Sequence, residues 1–275
     1  LHALWNIVAK RAGGDSRFAL VLSVQLSLLW APLGLWVAWR VVPLWGWREW
    51  AAIFASALVH VLYFTALLRG YRLADLTVVY PIARGTGPLL SAGGAVLLLG
   101  ERLTLTGLAG VALVVGGVFL IAGGPGLWAR AHDAAQRERV RAGIAYGALT
   151  GATIAAYTLI DGYAVTVLAI SPILVDWLGN VVRVPMLLPG ALRDPAAMRE
   201  IWRSQWRYAL VVAVFSPLAY VLVLYAMRLA PVSHVAPARE LSMLFAALLG
   251  GRLLGERDRG WRIAGAALIA AGVVS

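Results

Sequence analysis

The sequence predicts an all-α integral membrane protein, with ten transmembrane helices arranged as two inverted five-helix repeats around a central cavity. Three observations carry this expectation. The 275-residue chain is 61% hydrophobic and only 13% charged, whereas a soluble domain carries about 25% charged residues. Its apolar residues gather into ten runs of roughly membrane-crossing length. Landmarks of the first half also return, in order, in the second. A β-barrel is excluded because its strands alternate apolar and polar side chains, and a run such as 111–122 is apolar on both parities.

The runs follow one another with short connections. The first covers 1–12, the second 18–39 with Pro32 as a tolerated kink, and the third 50–68. The fourth covers 76–99 and carries Pro81 and Pro88; the fifth covers 105–122. A polar connector, 123–141, leads to the sixth at 142–160 and the seventh at 172–188. A second polar stretch, 193–207, precedes the eighth at 208–227. The ninth covers 232–254 and the tenth 261–274. Both ends of the chain fall inside apolar runs, so the first and last crossings are expected to be incomplete. No cleavable signal peptide is expected from the opening residues. The expected domain division is a repeat at 1–122, the connector at 123–141, and a second repeat at 142–275.

Cysteine is absent, which removes disulfides, thiolate nucleophiles and thiolate metal sites. The net charge of +11 comes from residues scattered between apolar runs, as in loop anchors, and not from a phosphate-binding face. Counting connections from the first helix, the odd loops hold sixteen basic residues and the even loops four. The positive-inside rule then places the odd loops in the cytoplasm and both termini outside.

The repeat rests on matched landmarks. Arg72-Leu73-Ala74 returns as Arg228-Leu229-Ala230, and Pro81 as Pro237. Leu99-Gly100-Glu101-Arg102 returns as Leu254-Gly255-Glu256-Arg257, and Gly110 and Gly117 as Gly265 and Gly272. Five crossings per unit is an odd number, so the copies insert in opposite senses. An inverted pair of this kind places a binding site near the midplane between them, as in transporters.

These residues resemble the drug/metabolite transporter superfamily, and within it the EamA family. The resemblance rests on two Gly-Glu-Arg turns after proline-bearing helices, each followed by a Gly-x6-Gly helix, and on the two-unit layout. It extends over essentially the whole chain. The opening His2-Ala3-Leu4-Trp5-Asn6 with Lys10 is similar to a branch associated with phosphonate utilisation. The resemblance implies a ten-helix bundle with a central substrate cavity that moves small metabolites, often outward; the inverted duplication suits alternating access, and the expected location is the inner (plasma) membrane. The resemblance also implies cytoplasmic termini, opposite to the arginine count.

Polar side chains at bilayer depth face cavities or partners by default, and they supply the candidate substrate-binding residues. On the fourth helix Pro81, Arg84 and Pro88 share a face, with Tyr80 beside them. On the ninth, Ser233, Pro237 and Glu240 form the counterpart, and Glu240 is the repeat mate of Arg84; His234 is a further candidate. Two readings stand: Arg84 binds an anionic group and Glu240 an amine or a coupling proton, or the two pair as a structural lock. Asp176, Asn180 and Arg183 form a polar stripe on the seventh helix. Trp5, Asn6, His60, Tyr63, Tyr157 and Tyr220 complete the set, with Pro81, Pro88 and Pro237 as kinks. Asp161 is expected at a solvated helix end, and Arg239 on a different face from Glu240. Glu101 and Glu256 are expected to cap the fifth and tenth helices.

The glycines Gly143, Gly147 and Gly151 suit close helix approach, within the bundle or at a dimer seam. No nucleotide-binding, zinc-protease or serine-hydrolase motif is present, so no enzyme, cofactor or metal is expected. The partners expected are the bilayer, a small-molecule substrate and a coupling proton, with no nucleic acid, in a monomer or homodimer. The function expected is secondary-active or facilitated transport of a small polar metabolite: amino-acid-like, organic anion or phosphonate. A channel-like protein or a non-transporting assembly partner is the alternative.

Overall fold

Polar residues extend several helices well past their apolar runs. A computed structural model describes residues 16–74, 76–121, 134–241 and 259–274, and all regular structure among them is helical. In chain order the helices are α1 (Ser16–Leu29), α2 (Ala31–Val41), α3 (Trp47–Leu73), α4 (Leu76–Leu98) and α5 (Leu105–Ile121). They continue with α6 (Ala134–Thr166), α7 (Pro172–Leu192), α8 (Pro195–Leu229), α9 (Val232–Ala238) and α10 (Arg259–Val274). Four of them, α3, α6, α7 and α8, are long and apolar enough to cross a membrane, and α1 and α2 together form a bent fifth candidate. The first apolar run, most of the connector and the 242–258 segment lie outside the described residues.

Three boundaries differ from the sequence expectation for identifiable reasons. The helix expected at 142–160 begins at Ala134, so the arginine-rich end of the connector is helical. Helix α8 absorbs most of the polar stretch before it because Asp194 starts it early. The Asp194 Oδ1 accepts the Ala197 N–H at 3.0 Å, and Pro195 occupies the first turn, the arrangement of an N-cap followed by proline. At 35 residues α8 is about 52 Å long, more than a hydrocarbon core of about 30 Å requires. Its charged first turns therefore project beyond the apolar layer.

The second expected helix is not gently kinked at Pro32 but broken, with α1 and α2 meeting at 67°. Pro32 lacks the N–H that would continue the ladder and sits in the first turn of α2. The indole N–H of Trp30 at the break donates to Ala213 O at 2.9 Å. Gly34 lies so close under the Trp177 ring that a β-carbon there would overlap it. The bend is thus held by a hydrogen bond and by a close approach.

The chain divides into two compact units, each drawn from both sequence halves: Leu1–Phe64 with Ile160–Leu229, and Thr65–Leu159 with Ala230–Ser275. In the first unit, Ala19 and Leu20 of α1 pack with Leu187 and Ala191 of α7, and the Trp177 indole N–H donates to Ser27 O. In the second, α5 and α10 cross antiparallel through their glycines. A β-carbon built on Gly117 would lie 2.5 Å from Gly265 O, and one on Gly272 would lie 2.5 Å from Gly110 O. Val114, Val118 and Ile269 fill the same seam. The Gly143, Gly147 and Gly151 stripe of α6 lies against Val78, Ile82 and Thr86 of α4, so it serves packing inside the unit.

Candidate functional site

The second unit builds its charged site where α4 meets the end of α9. Pro81 and Pro88 lie inside one continuous helix, and each deprives the carbonyl four residues back of its N–H. Hydroxyls supply extra bonds along this helix: Thr86 donates to Ile82 O and Ser91 to Gly87 O. Arg84 projects between the prolines, with its guanidinium 5.5 Å from the Tyr80 ring centre. Its Nη1 donates to Glu240 Oε1 at 3.1 Å.

The ninth helix was expected to run unbroken to 254. Instead α9 ends at Ala238, one residue after Pro237, and Arg239 and Glu240 form a turn in which the Glu240 N–H bonds Pro237 O at 2.9 Å. Arg239 keeps right-handed helical angles, and the bond from Glu240 to Pro237 tightens the chain at this point. Arg239 lines the same recess as Glu240, contrary to the expectation of different faces, and its Nη1 donates to Thr158 Oγ1 at 3.3 Å. Sequence reasoning missed Arg239 and Thr158 as part of this group; a proline followed at once by two charged residues was the available signal for a helix end.

The recess is lined by Arg84, Pro88, Ser91, Ile154, Thr158, Ala236, Arg239 and Glu240, and is narrow enough to suit water rather than a metabolite. Glu240 is only 3% exposed. Its second oxygen, Oε2, is buried with no hydrogen-bond partner among the described residues, as is Ser233 Oγ.

Glu101 corrects another expectation. It lies four residues before α5, too far to cap it, and that helix uses Thr104, whose Oγ1 accepts the Gly107 N–H. Gly100 takes the left-handed φ of 68°, which glycine adopts without strain, and the chain turns there. Glu101 then reaches the first residues of α9, accepting the N–H groups of Val232 at 2.7 Å and Ser233 at 2.9 Å. It is a cap, but of a different helix, supplied from a distant part of the sequence. Glu256 lies outside the described residues.

The first unit gathers a second polar group. Asp176, Asn180 and Arg183 on α7 are 7%, 3% and 8% exposed, which excludes a lipid-facing stripe. Asn180 donates to Asp176 O and Arg183 Nε to Gly179 O, both within the helix. Asp161 is not at a solvated helix end. Helix α6 continues to Thr166, and Asp161 is 1% exposed and accepts a hydrogen bond from the Tyr220 hydroxyl. His60 meets the Tyr220 ring edge-on at 6.1 Å and bonds Ser56 O through Nδ1.

Of the remaining candidates, Tyr157 is buried and His234 exposed, both in the second unit, and Tyr63 is half-buried in the first. Trp5 and Asn6 lie outside the described residues.

Helices long and apolar enough to span a membrane, with ion-bearing side chains buried inside them, define an integral membrane protein. Residues 1–123 and 141–275 match the EamA-like transporter family, and the chain belongs to it. It is a membrane protein of a family that moves small molecules. No sequence among the curated proteins matches the chain. A solved structure, titled only as the crystal structure of a protein, matches the fold with a TM-score of 0.71 at 17% identity, covering 99% of this chain and 91% of its own.

Proposed function

We propose that this protein is an inner-membrane carrier for a small zwitterionic or anionic metabolite, working by alternating access between two inverted five-helix repeats. One observation carries the reading: two guanidinium-bearing side chains, Arg84 and Arg239, and a buried carboxylate whose Oε2, on Glu240, has no hydrogen-bond partner among the described residues, line one recess. Two cations beside one carboxylate favour an anionic group on the substrate, held by charge-assisted bonds. That carboxylate oxygen suits an amine on the same molecule. Amino-acid-like solutes answer both demands, and organic acids or phosphonates answer the first. The narrow recess with Arg84 paired to Glu240 fits a resting carrier, in which the substrate must displace the pair before the site opens.

The inverted repeat draws support from the antiparallel crossing of α5 and α10. Gly110 and Gly117 are repeat mates of Gly265 and Gly272, and the contacts run Gly117 to Gly265 and Gly110 to Gly272. That reciprocal pattern is what a two-fold relation between equivalent helices produces.

The test is counterflow in proteoliposomes, loading the vesicles in turn with amino acids, organic acids and phosphonates. Saturable uptake stimulated by internal substrate supports a carrier. Unsaturated flow identifies a channel-like protein, and no flux with any class overturns the assignment.

A further inference from the structure

The polar stretch 193–207 reads in sequence as a connector with scattered basic residues. In the structure most of it opens α8, and the helix gathers those residues on one side. Arg199, Arg203, Trp206 and Leu210 follow one another at steps of four, three and four, which is a single stripe along a helix. Trp202 and Arg207 flank that stripe. All six side chains are exposed, while the opposite side of the same turns packs inward, with Met198, Ile201 and Ala209 against Phe18 and Val21 of α1.

Charge on the exposed side has one sign. The stretch holds two acids, Asp194 and Glu200, and Asp194 is committed: its Oδ1 caps the start of α8 and its Oδ2 pairs with Arg17 at 3.4 Å. Among the described residues Arg199, Arg203 and Arg207 make no ion pair. Glu200 is the one acid left beside them on the stretch.

Depth decides what these arginines meet. The remainder of α8, 208–229, is 22 residues long, or about 33 Å, which fills a hydrocarbon core of about 30 Å. With that part in the core, Trp206 and Arg207 stand at the hydrocarbon edge. Arg203 lies about 8 Å and Arg199 about 14 Å beyond Tyr208 along the axis, and the headgroup layer on each face is about 5–8 Å deep. Arg207 and Arg203 therefore bracket that layer, and Arg199 reaches it from the water side. Indoles favour this level, and the Arg207 guanidinium lies 5.4 Å from the Trp206 ring centre, a contact that keeps the cation beside the indole.

We propose that this stripe binds the headgroup of an anionic phospholipid, with Arg203 and Arg207 on the phosphate, Arg199 attracting it from outside, and Trp202 and Trp206 against the glycerol region. The flat guanidinium fork matches two phosphate oxygens at once, and basic clusters beside a membrane span attract anionic lipid. Leu210, one turn deeper on the same stripe, meets the acyl chains of the lipid so held.

The absence of cysteine makes a local test available. Leu210→Cys is coupled to a benzophenone maleimide, with Leu222→Cys as reference, a lipid-facing position 62% exposed and twelve residues further along the same helix. Each full chain is placed in nanodiscs of phosphatidylglycerol and phosphatidylcholine in equal parts, irradiated, and the captured lipid identified by mass spectrometry. Phosphatidylglycerol should be enriched at the first position and captured at the bulk ratio at the second. Replacing Arg199, Arg203 and Arg207 together with Gln should abolish the enrichment and leave capture at the reference position unchanged, which also shows that the variant is still inserted. The proposal is overturned if both lipids are captured equally beside the stripe, or if enrichment survives the triple change. It is also overturned if inorganic phosphate removes the enrichment and chloride at the same ionic strength does not, the mark of a site for free phosphate. The readout involves no transport, so it stands or falls separately from the substrate assignment at Arg84.

Discussion

Arg84 and Glu240, 156 positions apart, hold each other through one 3.1 Å hydrogen bond. The same offset separates Arg72-Leu73-Ala74 from Arg228-Leu229-Ala230 and Pro81 from Pro237, so the paired residues occupy equivalent positions in the two halves. The lock reading of this pair describes the observed geometry, and under the proposed function substrate binding would compete for one of its members.

Removing one partner of a buried pair strands the other charge, at about 3–5 kcal/mol. Arg84→Ala should lower the unfolding temperature in detergent and abolish counterflow. The double change Arg84→Met with Glu240→Leu should recover most of the stability and none of the transport. Transport surviving in the double variant would place the substrate elsewhere.

The α5–α10 crossing has no room for side chains at its glycines. Gly117→Ala and Gly265→Ala should each destabilise by about 1–3 kcal/mol, the usual range for overpacking. Gly116, whose added β-carbon meets nothing within 4 Å, is the control. Gly116→Ala should be neutral or slightly stabilising, and thermal unfolding of the three variants side by side checks the contrast.

Capping of α9 by Glu101 sets up a third comparison. Glu101→Ala removes the acceptor for two backbone N–H groups and should cost about 0.5–2 kcal/mol. Hydrogen exchange should speed up at Val232 and Ser233 and stay unchanged at Gly107, which Thr104 caps. Faster exchange at Gly107 alone would restore the expectation that Glu101 serves α5.

A chain without cysteine lends itself to labelling. Arg139 is exposed on α6, and the arginine distribution places it in the cytoplasm. Arg139→Cys should resist membrane-impermeant maleimide in intact cells and react after permeabilisation. Labelling of intact cells would mean the opposite orientation, the one the family resemblance implies.

The sequence by itself determined that this is a helical membrane protein, because apolar runs of crossing length admit no other stable backbone in lipid. It also determined the family, through landmarks that keep their order in both halves, and it singled out Arg84 and Glu240, since an ion inside an apolar run is conspicuous whatever surrounds it. Only the tertiary structure decided what those ions meet. Periodicity describes a residue's face along one helix and is silent once the helix stops. The break after Pro237 therefore brought Arg239 to the recess unannounced, and the bend at Pro32 became a fracture because Trp30 and Gly34 found partners far along the chain. Glu101 found its helix, and Asp161 its phenol, across 131 and 59 positions. Such pairings follow from how helices pack, and a local reading of the sequence contains no term for it.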